Sequence, residues 1–219
     1  MMKLTALAGI VLFSLSFTTK PQPVDAPEKT PLWMRYPVIS PDGSTIVFSY
    51  RGDLYQVSAS GGTAVPITLS EGHDFMPVFS PDGKSIAFAS DRNGNFDVYV
   101  IAAEGGTAKR LTYHSSNDYP QCFGADGKSV IFAATRMDNA KMVQFPYGAL
   151  SELYTVPVTE GRETQLSTIA AEGAKLNKAG TKMLFHDRKG YEDPWRKHHI
   201  SSVARDLWLY DQSAGSYTT

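Results

Sequence analysis

The tetrapeptide Ser-Pro-Asp-Gly occurs at 40–43 and again at 80–83, and a phenylalanine follows each glycine by five residues, Phe48 and Phe88. Divergent copies keep the same offset: Gly124-Ala125-Asp126-Gly127 with Phe132, and Asn177-Lys178-Ala179-Gly180 with Phe185. The four glycines lie 40, 44 and 53 residues apart. Fixed spacing inside a unit that recurs at such a period marks a repeat architecture. The repeated residues are therefore expected to build a scaffold rather than to carry chemistry.

Each unit contains the same parts in the same order. A short apolar strand (36–39, 76–79, 119–123) leads into the Asp-Gly turn. Proline presets φ at the first turn position, Asp tolerates the second, and Gly accepts the left-handed conformation. A second strand ends at the phenylalanine (46–48, 86–88, 130–132, 183–185), and a third follows at 53–57, 97–101, 152–156 and 206–210. A glycine turn then leads to a fourth, as at Ala108-Lys109-Arg110-Leu111-Thr112. Four short strands per unit of this length predict an all-β fold, a β-propeller of four-stranded blades. A β-sandwich has similar turns but no reason to repeat its motif in register. The predicted organisation is a signal peptide at 1–19, a Pro-rich linker at 20–34, and blades at about 35–74, 75–118, 119–172 and 173–219.

The start of the chain supports that division. Lys3 precedes an apolar run from Leu4 to Phe17, then Thr18-Thr19-Lys20. The run is shorter than the roughly 20 residues a membrane-spanning helix requires, and reads as a secretory signal. The protein is accordingly expected in the periplasm or outside the cell, meeting a membrane only through this segment. Pro21, Pro23, Pro27 and Pro31 form an extended tether. With a net charge of −1, nothing suggests nucleic acid as a partner. The single Cys122 excludes an internal disulfide and a four-cysteine zinc site. No cofactor is expected.

The units resemble the Asp-Gly propeller repeats of TolB, of prolyl-oligopeptidase relatives and of tricorn-type peptidases, from Arg35 to the end of the chain. Gly52-Asp53-Leu54-Tyr55-Gln56-Val57-Ser58-Ala59-Ser60-Gly61-Gly62-Thr63-Ala64 is similar to the first blade of bacterial tricorn-type peptidases. Pro194-Trp195-Arg196-Lys197-His198-His199, followed by Arg205-Asp206-Leu207-Trp208-Leu209-Tyr210-Asp211, is similar to the tricorn pattern of a Trp and basic residues before an aspartate-aromatic strand. The tricorn Tyr-x-Gly-Gly is replaced here by His199-Ile200-Ser201-Ser202. TolB-like proteins carry an α/β domain ahead of the propeller, which this sequence lacks. The resemblance implies the amino-terminal propeller of a tricorn-like serine peptidase. Further blades, a PDZ-like domain and a catalytic domain would lie beyond it in the same polypeptide. The last repeat reaches its third strand and stops where the fourth should begin, so an incomplete ring of about four blades is expected, from a longer protein.

Connections in a four-stranded blade alternate between two faces. The Asp-Gly turns share one, while the second-to-third and blade-to-blade loops share the other. Insertions at about 136–151 and 187–205 project from the latter, and long loops on a rigid scaffold are where binding resides. Arg51, Arg92, Arg136 and Arg188 follow the phenylalanines by three or four residues on this face. They are candidate substrate-binding residues, a rim that guides peptide carboxylates, against the alternative of solvated hairpin charges. His73-Asp74 and Asn117-Asp118 are expected to hydrogen-bond between blades. Asp91–Asp97 has oxygens at alternate positions like a calcium loop, but position 12 is Ala102, which supplies no carboxylate. No Gly-x-Ser-x-Gly or His-Glu-x-x-His occurs, and no catalytic or metal site is expected. Peptides or proteins are the expected partners.

Overall fold

All four repeat turns, three with Asp-Gly and the fourth with Ala179-Gly180, close their hairpins with the same pair of backbone bonds. The computed structural model describes residues 33–136, 150–159, 161–187 and 205–219, and every regular element among them is a strand. Ser40 N–H donates to the Thr45 carbonyl at 2.8 Å and Gly43 N–H to the Ser40 carbonyl at 2.9 Å. The same bonds recur at Ser80/Ser85/Gly83, Gly124/Ser129/Gly127 and Asn177/Lys182/Gly180. The turn glycines have φ of 75°, 72°, 69° and 71°, where an L side chain costs roughly 1–2 kcal/mol. The Ser and Asp of the motif add a side-chain brace. Ser40 Oγ accepts the Thr45 N–H at 2.9 Å and donates to Asp42 at 2.5 Å, and Ser80 does the same with Ser85 and Asp82. The Ser40 bond, helped by Ser44, holds the Asp42 carboxyl down at about 2. In the fourth copy Asn177 Oδ1 takes the serine's part, accepting Lys182 N–H at 3.0 Å.

The hairpins extend into four antiparallel meanders. Blade 1 comprises β1 Arg35–Ile39, β2 Thr45–Tyr50, β3 Asp53–Ser58 and β4 Val65–Pro66, in that order across the sheet. Blade 2 has β5 Asp74–Phe79, β6 Ser85–Ser90, β7 Asp97–Ala102 and β8 Lys109–Arg110. Blade 3 has β9 Asp118–Phe123, β10 Ser129–Ala134, β11 Glu152–Pro157 and β12 Thr164–Ser167. Blade 4 has β13 Ala171–Leu176, β14 Lys182–Asp187, β15 Leu207–Asp211 and β16 Ser216–Thr218. The fourth strand of the last blade begins at Ser216, where the repeat places it. Tyr217 of β16 stacks on Tyr210 of β15 with ring centroids 4.6 Å apart. Blades 2, 3 and 4 begin one or two residues earlier than predicted, because their first N–H bridges backward: Asp74 to the Gly52 carbonyl, Asp118 to Phe96, Ala171 to Ser151.

The core lies between blades. Val47, Leu54 and Ile67 of blade 1 pack on Ile86, Phe88, Tyr99 and Ile101 of blade 2. Val78, Ala87, Val98 and Val100 of blade 2 meet Val130, Phe132, Tyr154 and Val156 of blade 3. Ile131, Ala133 and Leu153 of blade 3 meet Ala174, Met183 and Phe185 of blade 4. Period-2 alternation explains this: the repeated Phe points to the preceding blade and its predecessor in sequence points to the following one. Each such apolar side chain stabilises by about 1.5–3 kcal/mol on burial. The first strands adjoin in series, β1 with β5, β5 with β9 and β9 with β13. They line a central space of about 1130 Å³ that opens on the Asp-Gly turn face, beside Asp42, Asp82, Gln121, Lys175 and Lys178. The result is an open arc of four propeller blades. The predicted signal peptide and most of the linker lie outside the described residues, and the compact unit begins at Trp33.

Candidate functional site

First strands start at the long-loop face and end at the Asp-Gly turns, so their opening residues ring the other mouth of the central space. Tyr36, Phe75 and Tyr119 are the second residues of β1, β5 and β9. Phe96, from the loop before β7, and His73, from the loop before β5, complete a cluster. Phe75 is its hub, with ring centroids 4.9 Å from Phe96, 5.2 Å from His73, 5.4 Å from Tyr36 and 5.9 Å from Tyr119. These are edge-to-face or tilted arrangements, which aromatic quadrupoles favour. Phe75, Phe96 and Tyr119 are half-buried, while Tyr36 and His73 are exposed. Burial pushes the Tyr119 hydroxyl upward in pKa. Outside the cluster, Trp33 carries the Arg35 guanidinium 5.0 Å above its ring. The mouth is thus an aromatic surface edged by polar groups.

The four candidate arginines divide into two kinds. Arg92 and Arg136 follow their phenylalanines by four residues, Arg51 and Arg188 by three. Arg92 Nη2 meets both oxygens of Asp74 at 2.9 Å, and Arg136 Nη2 meets Asp118 at 2.9 Å, both carboxylates being fully buried. Each guanidinium also covers the ring pair of its own blade: Phe88 and Tyr99 for Arg92, Phe132 and Tyr154 for Arg136. These two arginines therefore clamp blades 2 and 3 internally. Arg51 is exposed and stacks over Tyr50 at 5.2 Å. It forms the β2–β3 turn with Gly52, both at positive φ. Arg188 lies outside the described residues, as do Trp195, His198-His199 and the two long insertions apart from their ends.

The clamp has a legible signature that single-residue reading passed over. Asp lies 14 residues before the Phe and Arg four after it in blades 2 and 3. Blades 1 and 4 hold Met34 and Gly52, or Ala171 and Lys189, at those places. The aromatic mouth has a fainter signal, since only Phe75 and Tyr119 share an offset of 13 residues before the Phe.

The two clamps differ in how well they are satisfied. In blade 2, Arg92 Nε donates to Ser90 Oγ at 2.8 Å, and Ser70 Oγ lies 3.3 Å from Asp74 Oδ2. Blade 3 has Ala134 and His114 at those two places, and Arg136 Nε and Asp118 Oδ1 are buried without a hydrogen-bond partner among the described residues. Burial, outweighing the attraction of Arg136, raises the Asp118 carboxyl to about 6. Asp97, paired with Arg110 at 2.6 Å, is also raised by burial. Ala134→Ser is expected to supply the acceptor that blade 2 has, raising stability by about 1 kcal/mol in urea titration.

The remaining candidates are structural. Asp91 accepts the His73 N–H at 2.6 Å and Asn117 Oδ1 accepts the Phe96 N–H at 3.0 Å, so these loops tie neighbouring connections together. No group of three or more His, Cys, Asp or Glu is placed to hold a metal among the described residues. Cys122 in β9 is half-buried, and burial pushes its thiol up in pKa.

Sequential four-stranded meanders packed face to face around a central space define a β-propeller. The chain belongs to the tricorn protease N-terminal β-propeller domain family, whose model matches residues 31–219. The crystal structure of the tricorn protease superposes with a TM-score of 0.62 at 16% identity, over 84% of this chain and 22% of that one. TolB from Acinetobacter baumannii superposes with a TM-score of 0.61 at 22% identity, over 84% of this chain and 42% of that one. Both likenesses are of fold. The Tol-Pal system protein TolB of Bordetella pertussis is 55% identical over 42 residues, 19% of this chain and 10% of that protein. The chain thus spans about a tenth of the length of curated relatives it matches.

Proposed function

We propose that the chain is the amino-terminal propeller of a secreted, tricorn-like serine peptidase, a scaffold that receives peptides and guides them to catalytic residues outside this sequence. The observation that carries this reading is the aromatic mouth centred on Phe75, on the face that bears the long connections. Half-buried rings offer a large contact area at little conformational cost, and such residues dominate binding energy where they cluster. Of the four arginines, Arg51, exposed on that face, and Arg188 take the guiding role toward peptide carboxylates. The amino-terminal signal would deliver the protein to the periplasm or beyond.

The test titrates fluorescein-labelled casein peptides against the chain and follows anisotropy. Phe75→Ala is expected to weaken binding roughly thirtyfold, the consequence of losing about 2 kcal/mol at a central aromatic. Unchanged binding by that variant would overturn the reading. The chain alone is expected to hydrolyse none of these peptides. Turnover abolished by one substitution within it would equally overturn the claim that catalysis lies elsewhere.

A second reading is favoured by the 55% identical segment shared with TolB and by the TM-score of 0.61 to a TolB structure. The same propeller would then be a non-enzymatic platform for a folded protein. Coding sequence beyond Thr219 separates the two: a PDZ and serine-peptidase region supports the first, a stop after one or two blades the second.

A further inference from the structure

The aromatic mouth rests on a buried cluster of charge at the interface of blades 2 and 3. Phe96 immediately precedes Asp97, and Tyr119 immediately follows Asp118. The two segments are bolted together: Asp118 N–H donates to the Phe96 carbonyl at 2.7 Å, and Asn117 Oδ1 accepts the Phe96 N–H at 3.0 Å. Behind the rings, Asp97, Thr112 and Asp118 are fully buried. Arg110 Nη2 holds Asp97 Oδ2 at 2.6 Å, and Arg136 holds Asp118 Oδ2 at 2.9 Å and Glu163 Oε2 at 3.4 Å. Three carboxylates thus face two guanidiniums, and one added proton balances the cluster. Hydrogens are short by the same number. Thr112 Oγ1 accepts the Val98 N–H at 3.0 Å and has a single hydrogen of its own, which Asp97 Oδ1 takes at 3.3 Å. Asp118 Oδ1 is left without a partner among the described residues.

We propose that Asp97 and Asp118 hold one proton between them through Thr112, and that this proton sets the position of the Phe96–Tyr119 half of the mouth. A protonated Asp118 Oδ1 donates to Thr112 Oγ1, which keeps its own hydrogen for Asp97, and every oxygen then has a partner. When the proton leaves, two buried like charges share one hydroxyl across the joint that carries both rings. Burial raises both carboxyls, Asp118 to about 6 against the pull of Arg136 and the Thr112 hydroxyl, and the Asp97 charge adds to that rise. The other charges on strands packed against β9 are engaged elsewhere. From β5, Asp74 binds Arg92; from β13, Glu172 binds Ser151 and Arg205, and Lys175 donates to the Gln121 carbonyl. On β7 the Tyr99 hydroxyl donates to Asn93, and β6 and β10 carry no titratable side chain. His73 and His114, in the blade-to-blade loops of the same face, are the rival titrating groups. Regulation of the mouth rests on its reading as a peptide site, whereas the proton site stands without that reading.

NMR of the full chain from about pH 4.5 to about pH 8 tests this, following the Asp97 and Asp118 carboxyl carbons and the Phe96 and Tyr119 amides. One proton is expected to leave the two carboxyls with a midpoint at about 6, and both amides should shift with it. Asp97→Asn, whose side-chain amide supplies the missing hydrogen, should lower the midpoint at Asp118 and carry both amide titrations down with it. His73→Gln and His114→Gln should leave that midpoint in place. Amides that do not follow the carboxyls, two carboxyls already ionised at about pH 5, or a midpoint unmoved by Asp97→Asn would overturn the proposal. Peptide binding reads the consequence. The proton-bound arrangement is the fully paired one and so the one preorganised to receive peptide. Casein peptides labelled with tetramethylrhodamine should bind about tenfold more tightly at about pH 5 than at about pH 8, which a one-unit shift in proton affinity gives. His73→Gln should keep that ratio and Asp97→Asn should remove most of it. Equal affinity at both pH values would overturn the regulation. Absence of binding at either would overturn the peptide reading itself, and the amide shifts would still decide the proton site.

Discussion

Arg136→Ala is expected to lower stability by about 3–5 kcal/mol, because it strips the partner from a buried carboxylate while leaving the carboxylate in place. Asp118 is fully buried, and Arg136 Nη2 is the cation against it at 2.9 Å. Arg136 also reaches Glu163 at 3.4 Å and lies over Phe132 and Tyr154, so packing is lost with the charge. For a protein of this size the melting temperature should fall by on the order of 10 °C. Arg51→Ala, which removes an exposed guanidinium, should change stability by less than about 0.5 kcal/mol.

The deficit of Arg136→Ala should depend on pH. In the native protein Asp118 titrates at about 6, above the 3.8 of an unstrained aspartate, and burial is the largest cause. The folded state therefore binds this proton more tightly than the unfolded chain. That contribution is fully present below about 4 and is lost as pH rises through about 6. Removing Arg136, which pulls the carboxyl down, moves its titration further up. Urea titrations should accordingly show a deficit that is largest at about pH 8 and shrinks by about pH 5. A deficit independent of pH would mean that lost packing, not the stranded charge, accounts for it. Asp118→Leu combined with Arg136→Met should recover much of the loss, since apolar replacement of a whole buried pair is often neutral.

The scaffold was legible in the sequence because its determinants are local. Gly43, Gly83, Gly127 and Gly180 must each take positive φ, and the Phe five residues on must point one way across a strand of period two. Both constraints act within a few residues and repeat. The fate of the arginines was not legible in the same way. One-per-blade occurrence suggested a single family, yet an offset of three or four residues decides whether the guanidinium swings back over its own ring pair or stands in solvent. The Asp 14 residues before the Phe accompanies the offset of four and names the guanidinium's partner. That correlation spans two strands and becomes a contact only when the sheet is built. The aromatic mouth is assembled from blades 1, 2 and 3 and from loops, so apart from Phe75 and Tyr119 its residues share no common spacing. Tyr36 and Met76 occupy the positive-φ place in β1 and β5 that Gly173 fills in β13, whereas Pro120 excludes that conformation in β9. The strand-start irregularity moves accordingly, falling between Ile131 and Phe132 in the β9–β10 pair.

Phe88→Ala carries the other large expected loss, about 3–5 kcal/mol, and its comparison with Phe48→Ala measures what a preceding blade contributes. Phe88 is fully buried between Val47, Leu54 and Ile67 on one side and its own sheet on the other. Its ring stacks on Tyr99 at 5.9 Å and supports the Arg92 guanidinium at 5.6 Å. Truncation there opens a cavity closed on both sides, so lost contacts add to lost transfer energy. Phe48 holds the same place in blade 1, is 8% exposed and stacks on Tyr55 at 6.1 Å, but no preceding blade covers it among the described residues. Water can enter the space that Phe48→Ala leaves, and the loss should stay near the transfer value of about 1.5–3 kcal/mol. Urea midpoints for the two variants, read with the denaturant slope held common, give the difference directly. Equal losses would place Phe48 in a closed interface as well, and blade 1 would then need a covering partner even in the isolated chain.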